Sequence, residues 1–103
     1  MGGIRQYYQE LNQGRSRIEV PEWRMSFFVG PLTVGQFERI DTAKTDAERN
    51  RLIIITCAKD ENGFPAFTSD MESELAQYGT TDVVPRVAGE IMQALPRGEE
   101  KKV

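Results

Sequence analysis

The run "LIIITCA" at residues 52–58 restricts what this chain can fold into more than any other stretch. Its β-branched side chains favour a strand, because branching at Cβ stiffens χ1 and suits a pleated surface. The residues ahead of it favour a helix. Thr45 and Glu48 have the spacing of a capping box, in which the threonine side chain takes a free backbone N–H and the glutamate reaches back to the cap. From there "TDAERNR" runs into the apolar stretch without a break. The reading is a helix over about residues 46–59, with a buried strand as the alternative.

The segments on either side follow simpler patterns. Ile4, Tyr7, Tyr8 and Leu11 recur at helical spacing and share one stripe of a short helix that Gly14 ends. "RSRIEV" alternates, with Ile18 and Val20 on one face and Arg17 and Glu19 on the other. "WRMSFFVG" alternates again, placing Met25, Phe27 and Val29 together. The two runs predict a β-hairpin near residues 16–30, closed around Pro21 to Trp23. Thr33 and Gln36 then form a second capping box ahead of Val34, Phe37 and Ile40. Ser69 and Glu72 form a third, ahead of Met71, Leu75 and Tyr78, with Gly79 as the stop. The last helix carries Val84, Val87, Ala88, Ile91, Met92 and Leu95 on one stripe. Asp82 is its predicted cap, Pro85 fits its first turn and Pro96 ends it.

Together these elements predict an α+β fold: an N-terminal β-hairpin packed against a mostly helical small domain of three to five helices. Met25, Phe27, Leu52, Ile55, Leu75, Val87, Ile91 and Leu95 are the expected core. One domain over residues 1–96 is expected, followed by a charged, disordered tail, "RGEEKKV", at 97–103. The length, 103 residues, leaves no room for two well-filled cores.

Composition narrows the function. The net charge of −3 argues against a nucleic-acid module, which needs a basic face to displace counterions from phosphates. No apolar run is long enough to span a membrane and no secretory signal is visible, so a cytosolic protein is expected. Gly2 lacks the serine or threonine at position 6 that myristoylation requires, since Gln6 stands there. The chain has no histidine, which removes the commonest general base and metal ligand. Cys57 is the single cysteine and sits among Ile53, Ile54, Ile55 and Ala58, a setting that raises a thiol's pKa and keeps it inert.

The stretch "DENGFPAFTSDME" suggests a calcium loop and fails as one. Counted from Asp60, the fifth position is Phe64, the sixth Pro65 and the twelfth Met71, where an EF-hand needs an oxygen ligand, a glycine and a glutamate. Asn62-Gly63 is a turn dipeptide, because both residues tolerate positive φ. Asp70 and Glu72 are explained as acids in the first turn of a helix, where the dipole favours them. No enzyme activity, cofactor or metal site is expected. The unusual residues are aromatic. Tyr7 and Tyr8 stand on a terminal helix too short to be stable alone, and Phe28 lies on the strand face opposite the core set. Tyr7, Tyr8, Leu11 and Phe28 are the candidate partner-binding group.

The order of these segments resembles a known family. "IEVPEW", "FFVGPLTVGQFERI", a helix running into "CAKDENGFPAFTSDMESEL" and a final amphipathic helix resemble the tail assembly chaperones of long-tailed bacteriophages over about residues 17–95. Members similarly place a Val-Pro-x-Trp strand pair before a short capped helix, then a long apolar helix running into an acidic-Gly-x-Pro-x-Phe turn. The resemblance implies a non-enzymatic protein of the host bacterial cytoplasm that binds the tape measure protein, keeps it soluble before the tail tube polymerises and is absent from the mature virion. It leaves room for contacts with the major tail protein and for self-association. The alternatives are another small phage morphogenesis component, such as a head-tail connector or tail terminator, and an acidic metal-binding regulatory module. Members are also often made in a second, longer form by ribosomal slippage. Lys101-Lys102, encoded by A-rich codons, is the predicted slippery site. Sequencing the gene checks this: a slippery heptamer and an overlapping second frame are expected there.

Overall fold

The computed structural model describes residues 3–96. Gly2, the charged tail at 97–103 and the slippage site at Lys101-Lys102 lie outside those residues. The described chain is built around helix α3 (Asp46–Cys57), whose second half is buried on every side from Leu52 through Cys57. The competition between helix and strand resolves at its C-terminal end. The chain is helical through Cys57 and then becomes a two-residue strand, β3 (Ala58–Lys59), which shortens the predicted helix by two residues. A β-branched run accepts the helix because burial all round outweighs propensity differences of a few tenths of a kcal/mol per residue.

The hairpin forms as the alternation requires. Strand β1 (Ser16–Val20) pairs antiparallel with β2 (Met25–Val29), Ile18 opposite Phe27 and Arg17 opposite Phe28. A short 3₁₀ turn at Pro21–Trp23 connects them, and Arg24 closes it in the left-handed region at φ 53°. β3 adds to the other side of β2, giving a three-stranded sheet in the order β1-β2-β3. This third strand is the addition to the predicted hairpin. Ile18, Val20, Phe27 and Val29 face inward. Met25, expected in the core, is only half-buried, because it borders an open groove with Trp23, Met71 and Tyr78.

Five α-helices complete the domain: α1 (Gly3–Asn12), α2 (Val34–Asp41), α3, α4 (Met71–Tyr78) and α5 (Val83–Ala94). α5 packs along α3 and reaches β1, where the Ser16 hydroxyl donates to the Ala94 carbonyl at 3.2 Å. Of its predicted stripe, Val84, Val87, Ala88, Ile91 and Leu95 are buried and Met92 is half-buried.

The caps form unevenly. The Thr33/Gln36 box is complete: Thr33 Oγ1 accepts from the Gln36 N–H at 3.2 Å, and Gln36 Oε1 accepts from the Thr33 N–H at 3.0 Å. Thr45 accepts from the Glu48 N–H, yet Glu48 reaches past its cap to the N–H of Lys44. The Ser69/Glu72 box does not form. There the backbone closes the first turn itself, the Met71 and Glu72 N–H groups donating to the carbonyls of Thr68 and Ser69. Asp82 stands at the N-cap position of the last helix as predicted, but its carboxylate accepts from the Thr80 hydroxyl and makes no cap hydrogen bond to the helix.

Two further expectations need correction. Val34 and Phe37 are exposed, so only Ile40 of that stripe enters the core. Tyr78, placed on the α4 core stripe, is also exposed, because α4 buries only Leu75 fully.

The loop between β3 and α4 turns tightly on Asp60. One carboxylate oxygen of Asp60 accepts from the N–H groups of Asn62 and Phe64 at 2.8 and 3.0 Å, and Gly63 takes φ 89°. Pro65 then bridges back to Lys59, and the Ala66 N–H donates to the Ala58 carbonyl at 3.0 Å. The supposed calcium loop is a self-satisfied turn.

Across the domain, Glu22 in the hairpin turn receives both Arg86 Nη atoms of α5, at 2.7 and 2.8 Å. These hydrogen bonds hold the Glu22 carboxyl down to about 2, below its ordinary 4.5. A carboxyl whose pKa is depressed on folding stabilises the fold above its unfolded pKa and loses that contribution as pH falls through the folded one. The pair is exposed, so the effect is small and salt-screened. Carboxyl-detected NMR titration checks it: Glu22 stays ionised to near pH 2, and Arg86→Gln returns it toward 4.5. A larger effect is expected at Ile91, which is fully buried. Ile91→Asp puts an unpaired charge in the core at a cost of several kcal/mol, on the order of the whole stability. Circular dichroism with thermal melting should show no cooperative transition.

Candidate functional site

The polar chemistry of the chain is largely committed to structure. Among the described residues no three or more His, Cys, Asp or Glu side chains gather as a metal site. Asp60, the natural first ligand of a calcium loop, spends its carboxylate on the turn. Burial pushes the Cys57 thiol up to about 11, so it is protonated at neutral pH and inert. What the surface offers is apolar area, concentrated in two grooves.

The first lies between α1 and the segment Pro31 to Val34 and encloses about 540 Å³. Tyr7, Tyr8 and Leu11 line it, as does Ile4. No residue of α1 is buried: Ile4 is 93% exposed and Tyr7 53% exposed, while Tyr8 and Leu11 are half-buried. Opposite them Val34 is 75% exposed. α1 therefore carries an amphipathic stripe that the domain covers only in part. Ten residues of helix are marginal in water without such cover.

Three of the four predicted contact residues thus share one groove. Phe28 does not join them. It lies on the outer face of β2, half-buried, with the Arg15 guanidinium 5.6 Å from its ring centre. Such cation–π packing shields one face of the ring, so Phe28 is the least available of the four.

The second groove escaped the sequence reading. Trp23, Met25, Phe67, Met71, Leu75 and Tyr78 line about 340 Å³, with Glu74 as the one carboxylate. Phe67 anchors its floor, meeting Trp23 edge-on at 6.4 Å between ring centres and Phe27 at 5.9 Å. Gly79 closes the end. A Cβ there would stand 2.5 Å from both the Leu75 carbonyl oxygen and Val84 Cγ2, so only glycine lets α4 turn so closely onto α5. The signal was present but divided. Trp23 read as part of a turn, Met25 as core and Tyr78 as a helix stripe, and only the tertiary arrangement joins them. Two methionines with an exposed tyrosine make an adaptable apolar wall.

No family model and no curated protein matches the chain. Among solved structures, the bacteriophage HK97 tail assembly chaperone matches with a TM-score of 0.60 at 16% identity. The match covers 88% of this chain and 98% of that one. Little side-chain detail carries over at that identity, and the likeness is one of backbone architecture. It agrees with the resemblance read independently from the order of the segments. This chain has the fold of a bacteriophage tail assembly chaperone.

Proposed function

We propose that this protein is a tail assembly chaperone, acting by binding rather than catalysis. In this reading it holds the phage tape measure protein soluble and assembly-competent in the host cytoplasm until the tail tube forms around it, and it leaves before the virion is complete. The observation that carries the proposal is the shared fold with the HK97 chaperone across nearly the whole of that protein. The chemistry is compatible with the role. Two apolar grooves sit on an otherwise charged surface, and such grooves take amphipathic helices through spaced aromatic and aliphatic contacts. Each site needs only modest affinity, because many copies on one long helical client act together and can still be released singly. The major tail protein and further copies of the same chain are the other contacts proposed.

The α1 groove is the proposed client surface, with Tyr7, Tyr8 and Leu11 as its anchors and Phe28 as an outlying member of the group. Co-expression tests both the role and the place. The parent chain is expected to move the tape measure protein from the pellet to the soluble fraction. A Tyr7→Ala, Tyr8→Ala, Phe28→Ser variant is expected to keep the parent's circular dichroism spectrum and lose that effect. Tyr78→Ser, in the second groove, is expected to retain it. If Tyr78→Ser fails and the triple variant works, the client surface is the Trp23 groove. A parent chain without effect overturns the chaperone role in favour of a structural tail or connector component.

A further inference from the structure

We infer that a third concavity, between α2, the junction of α3 with β3 and the segment leading into α4, is a binding site for a phosphate-class oxyanion. Its hydrogen-bonding walls are Gln36, Arg39, Thr56, Lys59, Thr68 and Ser69, around about 440 Å³. This site shares only Phe67 with the Trp23 groove and nothing with the α1 groove, and it does not depend on the chaperone reading.

Its charge runs against that of the chain. The sequence carries 16 acidic and 13 basic residues, yet the lining holds two cations and no carboxylate. Elsewhere on the described surface four basic side chains are matched to carboxylates: Arg17 with Glu19, Arg49 with Asp41, Arg51 with Glu72 and Arg86 with Glu22. Neither Arg39 nor Lys59 meets a carboxylate among the described residues. The lining thus brings two cations to one concavity and no carboxylate with them.

An independent feature points the same way. Thr56 is the one polar residue in the buried core, 9% exposed, and its hydroxyl has no hydrogen-bond partner among the described residues. A buried hydroxyl costs folding free energy unless it is bonded, and Thr56 lines this concavity. Other donors stand around it. Gln36 spends its Oε1 on the Thr33 N–H, which leaves its amide N–H₂ to donate. Thr68 and Ser69 add hydroxyls from the segment before α4.

The donor set fits phosphate better than carboxylate. Arg39 offers a planar fork and Lys59 a compact point charge, together close to the charge of a phosphate near pH 7.5. A carboxylate would neutralise only one of the two cations. Its source is either free inorganic phosphate or a phosphomonoester.

Amide NMR of the parent chain at pH 7.5, titrated with inorganic phosphate at constant ionic strength, tests the assignment. Saturable shifts at Arg39, Thr56, Lys59, Thr68 and Ser69 are expected, with the remainder of the spectrum still. Arg39→Gln, at an exposed position, and Lys59→Gln, at a half-buried one, are each expected to weaken binding about tenfold or more, the loss of one charge-assisted hydrogen bond. Thr56→Val is expected to weaken it less and to leave the fold intact. A phenyl phosphate arm separates the sources: tighter binding than inorganic phosphate assigns the site to a monoester, and weaker binding assigns it to the free ion. Shifts that do not saturate, or that persist unchanged in Arg39→Gln and Lys59→Gln, overturn the site. Acetate binding as tightly as phosphate overturns the phosphate class.

Discussion

Everything in this fold is arranged around the need to cover α3. From Leu52 to Cys57 the helix is buried around its whole circumference, and a single neighbour hides only one face of a helix. In a chain of this size the cover has to come from several directions, so α2, α4 and α5 all converge on it. The constraint also sets where the chain turns. α3 passes at Cys57 into β3, which pairs at once with β2, so the helix that fills the core is tied directly to the sheet that closes it.

Covering one helix on all sides has a cost at the surface. α4 and α2 spend their best apolar positions, Leu75 and Ile40, on the centre, and their other apolar residues fall outside. Phe37, Val34 and Tyr78 are exposed for that reason, and Met25 and Met71 are only half-covered. The grooves are the residue of core formation in a small domain, and they supply adaptable contact area without any element dedicated to it. Phe67 has a double position, forming the floor of the Trp23 groove and part of the lining of the Arg39–Lys59 concavity. The two surfaces are therefore back to back across one buried ring.

Local rules read well wherever a single element decided the outcome. The alternation of Ile18 and Val20 with Arg17 and Glu19, the Thr33 box and the Val87–Ile91 stripe were all legible, because period and capping are set within a few residues. Legibility failed where the decision was tertiary. Ser69 has the spacing of a cap, yet the tight return through Pro65 and Ala66 leaves the backbone to close that turn. Tyr78 has the spacing of a core residue, yet Gly79 turns the chain before anything covers it. The Trp23 groove joins residues from three parts of the chain, and neither its depth nor its lining could be summed from local patterns. That Tyr7, Tyr8 and Leu11 line one groove was readable because they share one stripe of a short helix.

The sheet has a consequence for how such a protein tolerates being made in many copies. Unpaired strand edges invite further strands, and apolar chains at high concentration are prone to that kind of zippering. On the β3 side the edge is only two residues long, and the returning chain occupies it, with Pro65, which has no N–H to donate, at the bridge. That leaves β1, whose outward positions carry the paired charges Arg17 and Glu19. The backbone is thus poorly suited to lending its hydrogen bonds to another chain. Contact with another chain through side chains alone would be reversible contact by contact, whereas a shared β-ladder would trap both chains in a common aggregate.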